Sequence, residues 1–307
     1  MYDKCKLWVP RTANTPDVEK HLEAVKENID KETGEVCTYG TLYGLKVSIY
    51  TGNIAVEGSL PRVIYPNNIY PLDRHGTAQA IEKLSDTLHL PMNEAKVTGL
   101  EFGKFFPMKH PVECYFSRLG NMSRYRREGI AKGSLYYKQK NKELVFYDKK
   151  ADAKAKGMTI PLGFEDANLL KIEMRFLRYL SNQTGVSNIT GVTLSDTAFY
   201  RHMIKMYQDM YYSITKLKQG NMEDLSNIKT PDDGFRLLIS ELLNETDPQR
   251  ITDFLSRLKE VKAYRDNKSY SRLKRKIQEV MEIASATKVD ELIEELNDDI
   301  KHVGAYV

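Results

Sequence analysis

Residues 143–149 read ELVFYDK. Side chains alternate along a β-strand, so residues two apart share a face. Leu144 and Phe146 therefore point into a core, and Tyr147 and Lys149 point out. Three more segments repeat the pattern. In Ile54–Leu60 (IAVEGSL), Ile54 and Val56 point one way and Glu57 the other. In Val97–Lys104 (VTGLEFGK), Leu100 and Phe102 point in, while Glu101 points out between Gly99 and Gly103, which leave space beside it. In Leu169–Phe176 (LKIEMRF, preceded by Leu169), Leu170, Ile172, Met174 and Phe176 point in, and Glu173 shares the outer face with Lys171 and Arg175. Four strands of this kind would gather three carboxylates and a tyrosine on one face of a sheet.

The rest of the chain supplies the frame. Tyr39–Tyr50 is aromatic and β-branched, pauses at Thr51-Gly52-Asn53 and restarts as the Glu57 strand, a hairpin signal. Gly76–Leu90 spaces Ile81, Leu84 and Leu88 as a helix does, and Pro111–Leu119 reads as a short helix opened by proline. Gly120–Lys132 and Lys150–Gly163 read as loops, and Gly133–Tyr137 pairs with the Tyr147 strand as a second hairpin. From about Ser195 the apolar period lengthens to that of helices. These start near Ser195, Pro231, Asp247-Pro248 and Ser269 or Ser271. The expected fold class is α+β: an antiparallel-sheet, endonuclease-type domain over residues 1–190, followed by a helical domain over 191–307.

Composition excludes several classes. The chain has 307 residues, 41% hydrophobic and 29% charged, which suits a packed core. No apolar run approaches the roughly 18 residues that span a bilayer, and MYDKCKLWVPRT lacks the apolar stretch of a secretory leader. Cys5, Cys37 and Cys114 are odd in number and far apart, so a reducing cytoplasm is the expected setting. Net charge is +4 but unevenly spread. Residues 101–156 hold fourteen basic and six acidic residues, while residues 281–307 hold two basic and seven acidic ones. Such a basic half fits a polyanion.

Phosphate-loop, dinucleotide, H-E-x-x-H and G-x-S-x-G motifs are absent, and the six histidines are scattered. The outward carboxylates Glu57, Glu101 and Glu173 instead suit Mg²⁺ or Mn²⁺, hard cations that prefer oxygen. A divalent ion polarises a phosphodiester, and a tyrosine can then attack phosphorus and form a covalent phosphotyrosine. A free tyrosine, with a pKa of about 10, is a poor nucleophile, so Lys149 is read as its helper. Tyr136 and Tyr137 compete with Tyr147, because alternation sends one of them to each face. Arg124, Arg126 and Arg127, interleaved with Tyr125, read as a nucleic-acid contact loop, with Lys138 nearby.

Taken in order, VEGSLPRVIYPNN (56–68), AKVTGLEFGKFF (95–106), PVECYFSRLG (111–120), KELVFYDKKAD (142–152) and NLLKIEMRFLRYL (168–180) resemble the replication initiators of filamentous phages and related plasmid-like elements, the gene-two/gene-X nickases. The resemblance covers residues 40 to 180. It implies rolling-circle initiation: a metal-dependent nick in single-stranded or locally melted origin DNA, a 5′-phosphotyrosine, a free 3′-hydroxyl, and a host helicase or polymerase as partner. It implies Glu101 as a metal ligand, Tyr147 as nucleophile with Lys149 beside it, and Glu173 with Arg175 near the metal. Glu57 matches an acidic position of the first block. Gly99-Leu100-Glu101 departs from the family's Arg-Ile-Asp, so the usual arginine is missing and the carboxylate is one methylene longer. A non-catalytic origin-binding protein on the same scaffold and a mobilisation relaxase are the alternatives.

Overall fold

The strand at the centre of the molecule is Tyr2–Pro10, a segment whose side chains do not alternate regularly between apolar and polar. The computed structural model describes residues 1–29, 34–130, 133–160, 163–217, 228–283 and 290–304. Its strands are β1 (Tyr2–Pro10), β2 (Glu23–Ile29), β3 (Val36–Leu42), β4 (Leu45–Ile49), β5 (Asn53–Ser59), β6 (Lys96–Met108), β7 (Leu119–Met122), β8 (Arg126–Ile130), β9 (Ser134–Lys138), β10 (Lys142–Asp148), β11 (Asn168–Phe176) and β12 (Ile214–Lys216). Among the described residues, ten of these form one antiparallel sheet in the order β2-β3-β4-β5-β1-β6-β11-β10-β9-β8, and β7 pairs with β12. The chain is thus α+β with a large antiparallel sheet.

In β1 the register shifts between Tyr2 and Cys5, so an extra residue interrupts the two-residue alternation. That bulge is why MYDKCKLWVP does not scan as a regular strand, although Tyr2, Cys5, Leu7 and Val9 are buried. Tyr39–Tyr50 is split into β3 and β4. Tyr43 and Gly44 both take positive φ (53° and 73°), the geometry of a tight two-residue hairpin turn. Gly120–Lys132, expected as a loop, holds most of β7, which pairs with β12, and all of β8, which pairs with β9 along its whole length; Ala131 and Lys132 lie outside the described residues.

The helices are α1 (Pro61–Ile64), α2 (Arg74–Leu88), α3 (Val112–Phe116), α4 (Lys149–Ala155), α5 (Leu180–Thr184), α6 (Thr197–Tyr212), α7 (Pro231–Glu245), α8 (Pro248–Glu260), α9 (Asn267–Ile283) and α10 (Glu291–Lys301). α4 corrects two expectations, the loop from Lys150 and the strand-face position of Lys149. The Asp148 carboxylate accepts the Lys150 and Ala151 N–H groups, which stops β10 and starts a helix at Lys149. Asp196, rather than Ser195, caps α6 by accepting from the Phe199 N–H.

One face of the sheet is closed by α2 and α6. Ala80, Ile81, Leu84 and Leu88 of α2, with Phe199, Met203 and Tyr207 of α6, share a core with Leu100, Phe102, Leu144, Phe146, Ile172 and Met174. Tyr207 donates its hydroxyl hydrogen to the Ile172 carbonyl at 3.2 Å. α10 joins this core through Leu296 and Ile300, and the Gln208 amide of α6 donates to the Ile300 carbonyl. Packing therefore runs across residue 190. α6 and α10 belong with the sheet, and the α7–α9 group leaves Phe235, Leu238, Leu242 and Phe254 exposed. No helix among the described residues is long and apolar enough to cross a membrane.

Candidate functional site

The other face of the sheet carries charge instead of hydrocarbon. Strand register fixes who stands beside whom: Tyr147 beside Lys171, Val145 beside Glu173, and Glu143 beside Arg175. Across β11 and β6, Arg175 stands beside Glu101 and Glu173 beside Gly103. Gly103 is required there, because a Cβ on it would lie 2.2 Å from the Ile172 carbonyl oxygen. The glycine permits the close strand approach that seats Glu173.

These side chains form one connected network. Tyr147 donates its hydroxyl hydrogen to Glu173 Oε1 at 2.8 Å. Arg175 grips Glu173 Oε2 through Nη2 at 2.7 Å and Nε at 3.1 Å. Lys171 Nζ lies 3.7 Å from Glu173 Oε1 and 3.2 Å from Asp3 Oδ2. Ser59 donates to Asp3 Oδ1 at 2.7 Å. At one end, Phe105, Leu169 and Ile69 pack with Ile160 and Phe164 into a small apolar plug. At the other end Glu101 and Arg175 reach water, their side chains 26% and 24% exposed. Between them Asp3, Lys171 and Glu173 are buried.

Burial and pairing tune each group. Burial would favour neutral Lys171, but Asp3 and Glu173 overcome this and hold its pKa above the ordinary lysine value. Burial likewise opposes the charge on Asp3, and Lys171, Ser59 and Lys149 hold its carboxyl below the usual range. Lys149 is buried beside Lys171, and both effects lower its pKa. Its Nζ pairs with Asp152 at 3.3 Å. Glu101 is pushed up to about 7, first by burial and then by Glu173. Tyr147 is driven well above its ordinary value by burial and by Glu173.

The structure thus brings together Tyr147, Glu173, Arg175 and Glu101, sets Lys149 at the border of their network, and leaves other expected site residues elsewhere. Lys149 is the first residue of α4 and serves Asp152, so it does not share the strand face with Tyr147 as expected. Tyr137 is fully buried on the opposite face, donates to the Gly120 carbonyl at 2.7 Å and meets the Phe146 ring edge-on. It is a core residue rather than a nucleophile. Tyr136 lies on the outer face one strand beyond Val145, with the Lys138 ammonium 4.7 Å from its ring centre. Glu57 is drawn away by Lys4 at 2.9 Å and Lys6 at 3.6 Å, which keep its carboxyl below the usual range. Arg127, expected at the nucleic-acid loop, is 4% exposed and donates to the Leu119 and Phe116 carbonyls. Arg124 sits exposed in the β7–β8 turn at φ 66°. Arg126 and Lys138 both pair with Glu128.

Asp3 and Lys171 complete the network; strand parity places Lys171 on the Glu173 face without giving it a role. Asp3 has no such signal, because it falls in the β1 bulge.

The expected Mg²⁺ or Mn²⁺ does not fit this arrangement. Both Glu173 oxygens and both Asp3 oxygens already accept from protein donors. Glu57 is held by two lysines, and Glu101 alone keeps an uncrowded carboxyl, its nearest cation being Arg175 at 3.9 Å. Among the described residues no three His, Cys, Asp or Glu side chains converge in a way that could hold a metal. Arginine and lysine stand where a cation would. No family model matches this chain, and no curated protein matches it.

Proposed function

We propose that the chain is a DNA strand-transferring nickase that starts rolling-circle replication, with Tyr147 as its nucleophile. The observation that carries this is the hydrogen bond from Tyr147 to Glu173 with Arg175 on the far carboxylate oxygen. A nucleophile whose pKa is raised needs a base within hydrogen-bond reach, and Glu173 is that base. Tyr147 Oη bonds to phosphorus, its proton passes to Glu173, and the bond from phosphorus to the 3′-oxygen breaks. The leaving oxygen takes its proton from Glu101, whose raised pKa keeps a proton available near neutral pH. Arg175 reaches both carboxylates and offsets charge on the phosphoryl oxygens.

Single-stranded oligonucleotides tiling the protein's own replicon, incubated with Mn²⁺ or with EDTA and run on denaturing gels, test this reading. A covalent protein–DNA band that disappears in Tyr147→Phe supports it. Binding without any such band contradicts it and favours a second reading, a non-catalytic origin-binding protein. The observation on that side is the saturation of Glu173 and Asp3 by their partners, since a closed network of ion pairs is also what a purely structural sheet face needs.

A further inference from the structure

A cleft of about 290 Å³ lies between the edge of the sheet and the α8–α9 pair. Asn121, Tyr125, Arg126 and Arg127 line it from the sheet side, and Lys259 and Lys274 line it from the helices. None of its lining residues is acidic, and four are basic. The α8–α9 segment, residues 248–283, holds ten basic and five acidic residues. Arg127 adds a buried guanidinium to the cleft wall. Its Nε and Nη2 are occupied by carbonyls, but Nη1 is buried and has no hydrogen-bond acceptor among the described residues. The nearest carboxylate, that of Asp247, stands 3.7 Å away and is largely exposed.

Strand register connects this cleft to the site. Arg126 stands beside Lys138, Lys138 beside Glu143, Glu143 beside Arg175, and Arg175 beside Glu101. This row crosses five strands on the outer face. At about 4.8 Å per strand it spans roughly 19 Å from Glu101 to Arg126. It carries Arg126, Lys138 and Arg175 with Glu143 and Glu101, and Glu128 on the same face of β8 pairs with Arg126 and Lys138, contacts that an incoming phosphate would have to share.

We infer that the cleft between β8 and α8–α9 binds the phosphates of single-stranded DNA, and that the strand follows the Arg126–Lys138–Arg175 row to Tyr147. The inference rests on the proposed nickase reading for the identity of the strand. Phosphate recognition by arginine and lysine gives affinity without base specificity and falls with salt. The cleft therefore holds the strand, and the choice of scissile phosphate is made elsewhere.

The test is fluorescence anisotropy of a labelled oligothymidylate over a salt series. It uses the full chain, the double variant Lys259→Glu/Lys274→Glu, and the charge-matched control Lys20→Glu/Lys26→Glu at the far end of the sheet. All four lysines are exposed, so folding is spared. The cleft variant should lose affinity about tenfold or more, and its salt slope should shrink by about 1.4 for two lost single-strand phosphate contacts. The control should lose far less. Equal losses in both variants, no loss in the cleft variant, or equal competition by polyglutamate would overturn the inference. Gels run in parallel separate the two claims. Binding through the cleft without a covalent band sinks the nickase reading alone. A covalent band with undiminished binding in the cleft variant sinks the cleft alone.

Discussion

On the face turned toward α2 and α6, the central strands present Leu100, Phe102, Leu144, Phe146, Ile172 and Met174, all buried. On the reverse face the same strands present Glu101, Tyr147, Lys171, Glu173 and Arg175, and Lys171 and Glu173 are buried just as deeply. The first face is stabilised by removing hydrocarbon from water, which needs shape but no particular partner. The second holds only while each buried charge keeps its counter-charge, because a lone ion in the interior costs several kcal/mol. Removing a side chain from the first face should therefore leave a hole. Removing one from the second should leave an orphaned charge, and that charge is what a chemical site can exploit.

The largest effects test this contrast. Phe146→Ala should lower unfolding free energy by about 3–5 kcal/mol, in proportion to the cavity it leaves. Lys171→Met should cost about 3–5 kcal/mol as well, by stranding Asp3, whereas Glu173 keeps Arg175. Denaturant titration of a cycle adding Asp3→Asn distinguishes the two causes. Asp3→Asn should recover part of the loss from Lys171→Met and none of the loss from Phe146→Ala. Equal behaviour of the two pairs would break the comparison between the faces.

A smaller effect is set by pH. Glu101 binds its proton more tightly in the folded chain than in the unfolded one, with a pKa about 7 against 4.5. Its contribution is fully present below the unfolded value and is lost as pH rises through the folded one. Glu101→Gln should thus gain on the wild type between pH 5 and pH 8. The gain should be on the order of 1–2 kcal/mol, since water screens its exposed quarter. The proposed acid role adds a kinetic counterpart: nicking should slow as pH rises above about 7, and Glu101→Gln should flatten that limb. A stability difference that does not change with pH would remove Glu101 from the desolvated network. Smaller still, Tyr137→Phe should cost about 1 kcal/mol for its bond to Gly120 and leave any covalent band intact.

The inner face was legible because apolar alternation at Leu144/Phe146 and Leu170–Phe176 survives in the structure without interruption. Parity alone also brought Tyr147, Glu173, Arg175 and Glu101 to one face. What parity could not give is reach along and across strands. Glu57 has the right parity but stands on β5, with β1 and its two lysines between it and Glu101. Lys149 was misread because a cap at Asp148 ends the strand one residue earlier, and a helix start is a matter of side-chain hydrogen bonds rather than of period. Asp3 was hidden by the β1 bulge, which breaks the rule the reading relied on. The α6 and α10 helices were visible by period, but their docking against the sheet depends on contacts such as Tyr207 with Ile172 that no local pattern encodes.

Whether Tyr147 is a nucleophile, as the proposed nickase reading requires, is tested most directly by peptide mapping, by mass spectrometry, of protein incubated with the oligonucleotides that tile its replicon. A nucleotide mass is expected on the peptide containing Tyr147, attached through its hydroxyl and absent in Glu173→Gln. A nucleotide on Tyr136 instead, or an oligonucleotide bound with no covalent mass on any tyrosine, would contradict that reading.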